Sequence, residues 1–265
     1  GLPEIDEISM LKKAVFELQA ITDLPLQIDT ADTKAMEQAL RLYNGKAMIN
    51  SVSGKESSMS QIFPLVKKYG GAVVALTLDD DGIPKTAEGR VAIAEKILKR
   101  AAEYGIDKKD IIFDTLAMTV SAEPGAAIET LRALDIIKNR LGCHTSLGVS
   151  NVSFGLPERA AINSTFFACA LERGLSTAIM NPYSTDMMKA YHSFKALHNM
   201  DENCGEYIAF TESLPAQSAQ RPSASPATHS ASPKDDGSLT PLQRAISKGL
   251  KDKAGEMTEK LLAEN

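Results

Sequence analysis

Four short apolar runs in this sequence each end in a carboxylate or an amide. They are Leu26-Gln27-Ile28-Asp29, Ala47-Met48-Ile49-Asn50, Ile111-Ile112-Phe113-Asp114 and Ser146-Leu147-Gly148-Val149-Ser150-Asn151, and a helical pattern follows each. In a parallel α/β barrel the carboxyl ends of the strands share one rim, where reactive groups sit. Two Asp and two Asn aimed at one rim suit a neutral, flat heterocycle edged with N–H and C=O groups. A carboxylate accepts two parallel hydrogen bonds from an amidine-like edge, and an Asn amide donates and accepts at once. A strand-end Asp also reads as a helix N-cap. Two of them at equivalent positions of a repeat, with Asn50 and Asn151 beside them, favour binding over capping.

Two loops carry most of the remaining signal. Asn50-Ser51-Val52-Ser53-Gly54 reads as a small polar loop after a strand, with local side-chain hydrogen bonds as its simplest explanation. Leu147 through Gly155 is the most distinctive segment, because its two glycines let a backbone pass close to a ligand. Asp79-Asp80-Asp81-Gly82 lacks the alternating ligands and distal Glu of a calcium loop, so it reads as an exposed acidic turn. Cys143-His144 opens a strand at the opposite rim. Lys46, Lys55 and Lys85 fall before or between strands, which argues against a Schiff-base lysine inside a barrel.

The elements that must position these residues alternate regularly. Strands are expected at 25–29, 47–50, 72–78, 110–114, 144–148 and 176–180, and helices at 5–21, 32–43, 57–69, 86–104, 124–140, 157–173 and 184–198. Asp32 is the expected cap of the second helix, and Gly105 the stop of the long fourth one. Such alternation predicts a parallel sheet with crossover helices. The fold class is α/β, of the TIM (β/α)8-barrel type. Closure needs eight strands, so six point to an N-terminally truncated barrel, with an open doubly wound sheet as the other arrangement.

The chain has 265 residues, 43% of them hydrophobic, and a net charge of −5. That charge argues against a nucleic-acid partner, and no apolar run is long enough to span a membrane. No signal peptide is visible. Three widely spaced cysteines, Cys143, Cys169 and Cys204, fit a reducing cytoplasm and no metal cluster. The domain reading is a barrel over 1–212, a disordered linker over 213–239 rich in Ser, Pro and Ala, and the start of a helical domain over 240–265. Thr240-Pro241 is a helix start there.

The runs Ile28-Asp29-Thr30, Met48 through Gly54, Phe113-Asp114-Thr115 and Leu147 through Ser153 resemble the pterin-binding barrel of the methyltetrahydrofolate:corrinoid methyltransferase family, which includes the folate domain of cobalamin-dependent methionine synthases. The resemblance covers about residues 1–210, and residues 242–263 look like the first helices of a corrinoid cap. It implies that Asp29, Asn50 and Asp114 bond the pterin ring, with Ser51, Gly148 and Ser153 also at the substrate. Asn151 would act at N5 in catalysis. Methyltetrahydrofolate would be the substrate. Cobalamin would be carried by a neighbouring corrinoid-binding domain or protein, and no metal by this chain. The final methyl acceptor and the oligomeric state, a homodimer included, stay open. Dihydropteroate synthases share the barrel but carry a basic Ser-Arg-Lys-type motif where this chain has Val149 through Ser153, with no cation. A pteroate-forming enzyme and a non-catalytic barrel fragment are the alternatives.

Overall fold

The computed structural model describes residues 6–214, 240, 242–243 and 251–263, so the expected linker over 213–239 lies almost wholly outside the described residues. Helix α1 (Glu7–Ile21) comes first. Then follow β1 (Gln27–Asp29), α2 (Thr33–Leu42), β2 (Met48–Ser53), α3 (Glu56–Tyr69), β3 (Ala72–Leu76), α4 (Ala87–Glu103), β4 (Ile111–Asp114), α5 (Ala126–Asn139), β5 (His144–Ser146), α6 (Arg159–Glu172) and α7 (Thr185–Leu197). Helices α8 (Gly205–Ser213) and α9 (Lys251–Ala263) complete the described elements.

The five strands pair in the order β1-β2-β3-β4-β5, all parallel. Each strand lies beside its neighbour in sequence, without the reversal that marks a doubly wound sheet. This is the order of a (β/α) barrel. Alternation along the strands separates two faces. Ile28, Ile49, Val73, Ala75, Ile111 and Phe113 share one buried cluster with Met36, Phe63, Val91 and Ile97 of the helices. Leu147 packs with Phe166, Phe167 and Ala170 of α6. The intervening residues Asp29, Asn50, Leu76, Asp114 and Ser146 therefore stand on the face away from the helices.

Two segments depart from the sequence expectation. The polar run after Asn50 is strand, not loop: β2 continues to Ser53 across a bulge, with Asn50 opposite Val74 but Val52 opposite Ala75. Val52 is fully buried in the helix-side cluster, which draws the chain onward along the sheet. Residues 176–180, expected as a sixth strand, form only an isolated bridge between Ile179 and Gly148. Its backbone bonds are Thr177 N–H to the Thr145 carbonyl and Ile179 N–H to the Leu147 carbonyl, both 2.9 Å, and Val149 N–H to the Ile179 carbonyl at 3.3 Å. The segment pairs on one side only among the described residues, and Pro182 ends it.

The chain divides into two compact units, Gly1–Phe194 and Lys195–Asn265. In the second, buried Asp201 accepts the N–H groups of Glu206 and Tyr207 at 2.9 Å, at the start of α8. Thr240 and Gln243 form a reciprocal capping box at 2.8 and 3.3 Å, in agreement with the expected helix start.

One interior cation organises the first unit. Arg90 of α4 is 1% exposed. Its Nε donates to the Pro84 carbonyl at 2.9 Å. Its Nη1 donates to the Thr115 carbonyl at 2.8 Å, the Leu116 carbonyl at 3.2 Å and Thr130 Oγ1 at 2.7 Å. The exit of β4 and helix α5 are thus bound to α4 through one side chain. Burial pushes the Arg90 pKa down, and the charges of Glu123, Glu129 and Asp114 oppose that. Leu116 sits at φ +62, a left-handed conformation unusual for a residue other than glycine, and its carbonyl is one of those Arg90 holds. Arg90→Met takes the guanidinium donors from the Pro84 and Thr115 carbonyls, while the Leu116 carbonyl keeps the Thr130 hydroxyl at 3.1 Å, and should lower unfolding free energy by about 2–4 kcal/mol. Arg90→Lys should recover only part of it, because a compact ammonium with three donors on one nitrogen cannot span four acceptors as the wider guanidinium does. Urea midpoints would check both; a loss well under 1 kcal/mol in the Met variant would mean that water replaces the guanidinium.

Candidate functional site

The capping explanation for the two strand-end carboxylates does not hold. Helix α2 is capped by Asp32, which accepts from Lys34 and Ala35 N–H at 2.8 and 3.3 Å, leaving Asp29 exposed at the end of β1. Helix α5 starts behind Gly125, well beyond Asp114.

Asp29, Asn50 and Ser51 line one cleft of about 400 Å³, with Ser57, Ser58 and Gln61 from the first turns of α3 and an apolar wall of Ile62, Leu76 and Leu78. The β2–α3 turn brings α3 there. Gly54 donates its N–H to the Leu78 carbonyl at 2.7 Å, and a Cβ at this position would lie 2.6 Å from Ile93 and 2.9 Å from that carbonyl. Only glycine permits so close an approach. Ser58 Oγ accepts the Ser53 N–H at 3.0 Å and closes the turn. The cleft offers a flat polar ring an apolar wall, an acceptor-only group and an amide.

Asp114 stands apart from that cleft. Asp29 is level with Asn50 and Val74, whereas Asp114 is level with Leu76 and Ser146. The two levels differ by two residues, roughly 6–7 Å along a strand, as in a sheared barrel sheet. Asp114 is 7% exposed. Its carboxylate accepts the Leu116 N–H at 2.7 Å, and the Gly148 N–H points its dipole at the same group. Burial pushes its pKa up to about 6, with the two N–H groups and the Arg90 charge pulling it down.

Asn151 lies exposed on a 3-10 turn, Val149–Ser153, after β5. A Cβ on Gly148 would meet Asn151 Nδ2 at 3.1 Å, so the missing side chain lets the amide fold back on the strand end. Ser153 is fully buried; its hydroxyl lies 3.3 Å from the Ser150 carbonyl and 2.7 Å from Asn163 Oδ1 and accepts from Arg159 Nε at 3.0 Å. Arg159 Nη2 also donates to the Ser150 carbonyl at 2.8 Å. Ser153 thus ties the Asn151 turn to α6. The turn itself has no cation, as the sequence reads, but Arg159 from six residues beyond Ser153 supplies one. Arg90, Arg159 and the α3 side chains Ser57, Ser58 and Gln61 were absent from the sequence reading.

Among the described residues no group of three or more His, Cys, Asp or Glu side chains is placed to hold a metal ion, and no helix is long and apolar enough to cross a membrane.

The family described as pterin binding enzyme matches residues 2–181. The chain belongs to the pterin-binding enzymes. It is 31% identical over 208 residues to the methylcorrinoid:tetrahydrofolate methyltransferase of Eubacterium limosum, covering 77% of this chain and 76% of that one. It is 34% identical over 189 residues to the methionine synthase of Mycobacterium tuberculosis, covering 66% of this chain and 16% of that protein. The pterin-binding chain thus spans about a sixth of the methionine synthase. Two dihydropteroate synthases share its fold. That of Clostridium difficile, solved in the presence of pteroic acid, superposes at TM-score 0.59 with 21% identity over 75% of this chain and 78% of that one. That of Yersinia pestis, with a pterine-sulfa conjugate, superposes at TM-score 0.62 with 14% identity over 76% and 79%. The parallel sheet of this pterin-binding enzyme is of their barrel type.

The raised pKa of Asp114 gives a pH signature. Below about pH 4 the group is protonated folded or unfolded; up to about pH 6 only the folded chain keeps the proton. Its contribution to stability is therefore full below pH 4 and is lost as pH rises through 6. Relative to Asp114→Asn, the wild type should lose up to about 3 kcal/mol between pH 4 and pH 7. Urea unfolding at a series of pH values checks this, and parallel curves for the two proteins would refute it.

Proposed function

We propose that this chain is a methyltetrahydrofolate-dependent methyltransferase domain that passes the N5-methyl of 5-methyltetrahydrofolate to a corrinoid. The observation that supports it most is the rim cleft joining Asp29, Asn50 and Ser51 in a chain whose 31%-identical relative is named for methyl transfer between a methylcorrinoid and tetrahydrofolate. Asp29 and Asn50 bond the polar edge of the pterin ring in this reading. Asp114 accepts a second set of ring N–H groups in its ionised form. The Gly148 backbone lies beside Asp114, and Ser153 contributes through the turn it anchors.

When the methyl leaves, the N5–carbon bond breaks and its electron pair stays on N5. Asn151 supplies a neutral donor whose hydrogen bond to N5 strengthens as that pair develops. The corrinoid supplies the nucleophile. The cleft of about 400 Å³ suits a small heterocycle and is too small for a corrinoid macrocycle. In this reading the corrinoid is carried by a separate domain or protein, and the helices after Thr240 begin such a domain. A reducing cytoplasmic setting, in keeping with three free cysteines, belongs to the same proposal. A pteroate-forming reaction is the less favoured reading, because the dihydropteroate synthases are related at 14–21% identity and share the fold alone.

Calorimetric titration should show 5-methyltetrahydrofolate binding that tightens as pH rises through about 6, where Asp114 ionises. Asp114→Asn should weaken it by about 1.5–3 kcal/mol, the range for a hydrogen bond to a charged group, and flatten its pH dependence. Loss of binding without a change in pH profile would remove Asp114 from the ring. Asn151→Ala should leave binding nearly intact and slow methyl transfer to a corrinoid acceptor roughly 10²–10³-fold. An unchanged rate would leave Asn151 without its role at N5.

A further inference from the structure

Strand β5 carries two adjacent hydroxyls with opposite fates. Thr145 faces the helices; its Oγ1 donates to the Gly174 carbonyl and accepts the Ser176 N–H, both at 3.1 Å. Ser146, next in the strand, faces the other way. It is 1% exposed, and its Oγ has no hydrogen-bond partner among the described residues. Buried hydroxyls are nearly always paired, so an unpaired one at a strand end calls for an explanation.

Its neighbour provides one. Ser146 is the register partner of Asp114, so the two side chains stand on the same face at the same level, about 4.8 Å apart along the hydrogen-bonding direction. Asp114 has its own unfilled capacity: a carboxylate offers about four acceptor positions, and the Leu116 N–H fills one at 2.7 Å, with the Gly148 N–H nearby. An acceptor-only group and a donor–acceptor hydroxyl side by side match a ring edge that presents N–H donors next to a ring nitrogen or carbonyl.

We propose that the Ser146 hydroxyl is a specificity-determining contact for the heterocycle, binding the edge position beside the one Asp114 holds. This rests on the folate reading above and adds a residue to it. A hydroxyl that waits unpaired for a ligand weakens the ligand-free protein and strengthens the complex. A structural serine does the reverse, because its removal would weaken the ligand-free protein and leave the complex alone.

The test measures 5-methyltetrahydrofolate affinity and ligand-free melting temperature for the wild type, Ser146→Ala and Ser146→Cys, which keeps the side-chain shape but replaces the hydroxyl with a larger, weaker hydrogen-bonding thiol. It repeats the titration with 5-methyltetrahydropterin, the ring without the tail. Both variants should bind either ligand about three- to tenfold more weakly, the range for one neutral hydrogen bond. Their ligand-free melting temperatures should be equal to the wild type or higher. Wild-type affinity in both variants overturns the proposal, as does a lower melting temperature with affinity intact. An affinity loss confined to the ligand with the tail also overturns it, because the contact would then not be to the ring. A wild-type chain that binds neither ligand removes the folate reading and this inference together; wild-type binding with unaltered variants removes this inference alone.

Discussion

A buried guanidinium, 1% exposed, holds the exit of β4 to α4 and α5. Arg90 is bound to three carbonyls and a hydroxyl, and among the described residues no carboxylate hydrogen-bonds it. Buried charge is tolerated only when its donors are filled, and here they are filled by backbone that would otherwise be free to move. The exit of β4 is fixed because its carbonyls are needed as acceptors. Asp114, directly before that exit, inherits its position from the same bonds. The Thr77 N–H and hydroxyl, each 3.1 Å from the Asp114 carbonyl, secure it from the β3 side.

That arrangement also sets the electrostatics. Asp114 and Arg90 lie close enough for each to favour the charge of the other, yet burial outweighs the attraction at both, raising the acid and lowering the base. The two strand-end carboxylates accordingly sit in different surroundings, Asp29 in solvent and Asp114 in the interior. Groups of one chemical type can then do different work at one rim.

Much of this was legible in the sequence. The apolar runs ending in Asp29 and Asp114 placed the ends of β1 and β4, Asp32 was the cap it was expected to be, and the helical periods set the crossovers. What escaped did so for physical reasons. The residues after Asn50 are mostly polar and read as a turn, but one buried valine, Val52, keeps them in the sheet. Residues 176–180 look like a strand and, among the described residues, pair on one side only. Arg90 reads as a solvated helix residue until its spacing is noticed: it shares the buried stripe of Ala87, Val91, Ala94 and Ile97. Arg159 lies beyond the motif it supports, and Ser146 hides inside a run whose polar end drew attention to Asn151.

The bulge in β2 has an evolutionary side. In a regular strand the loss of one residue turns every later side chain to the wrong face. Ser51 is the residue the ladder already skips, with Asn50 and Val52 facing consecutive positions of β3. A lineage could delete it and keep both neighbours in frame. The strand thus has one place where its length is negotiable, and that place opens onto the cleft. Selection can alter the lining there by insertion and deletion as well as by substitution, while the core behind it keeps its reading frame.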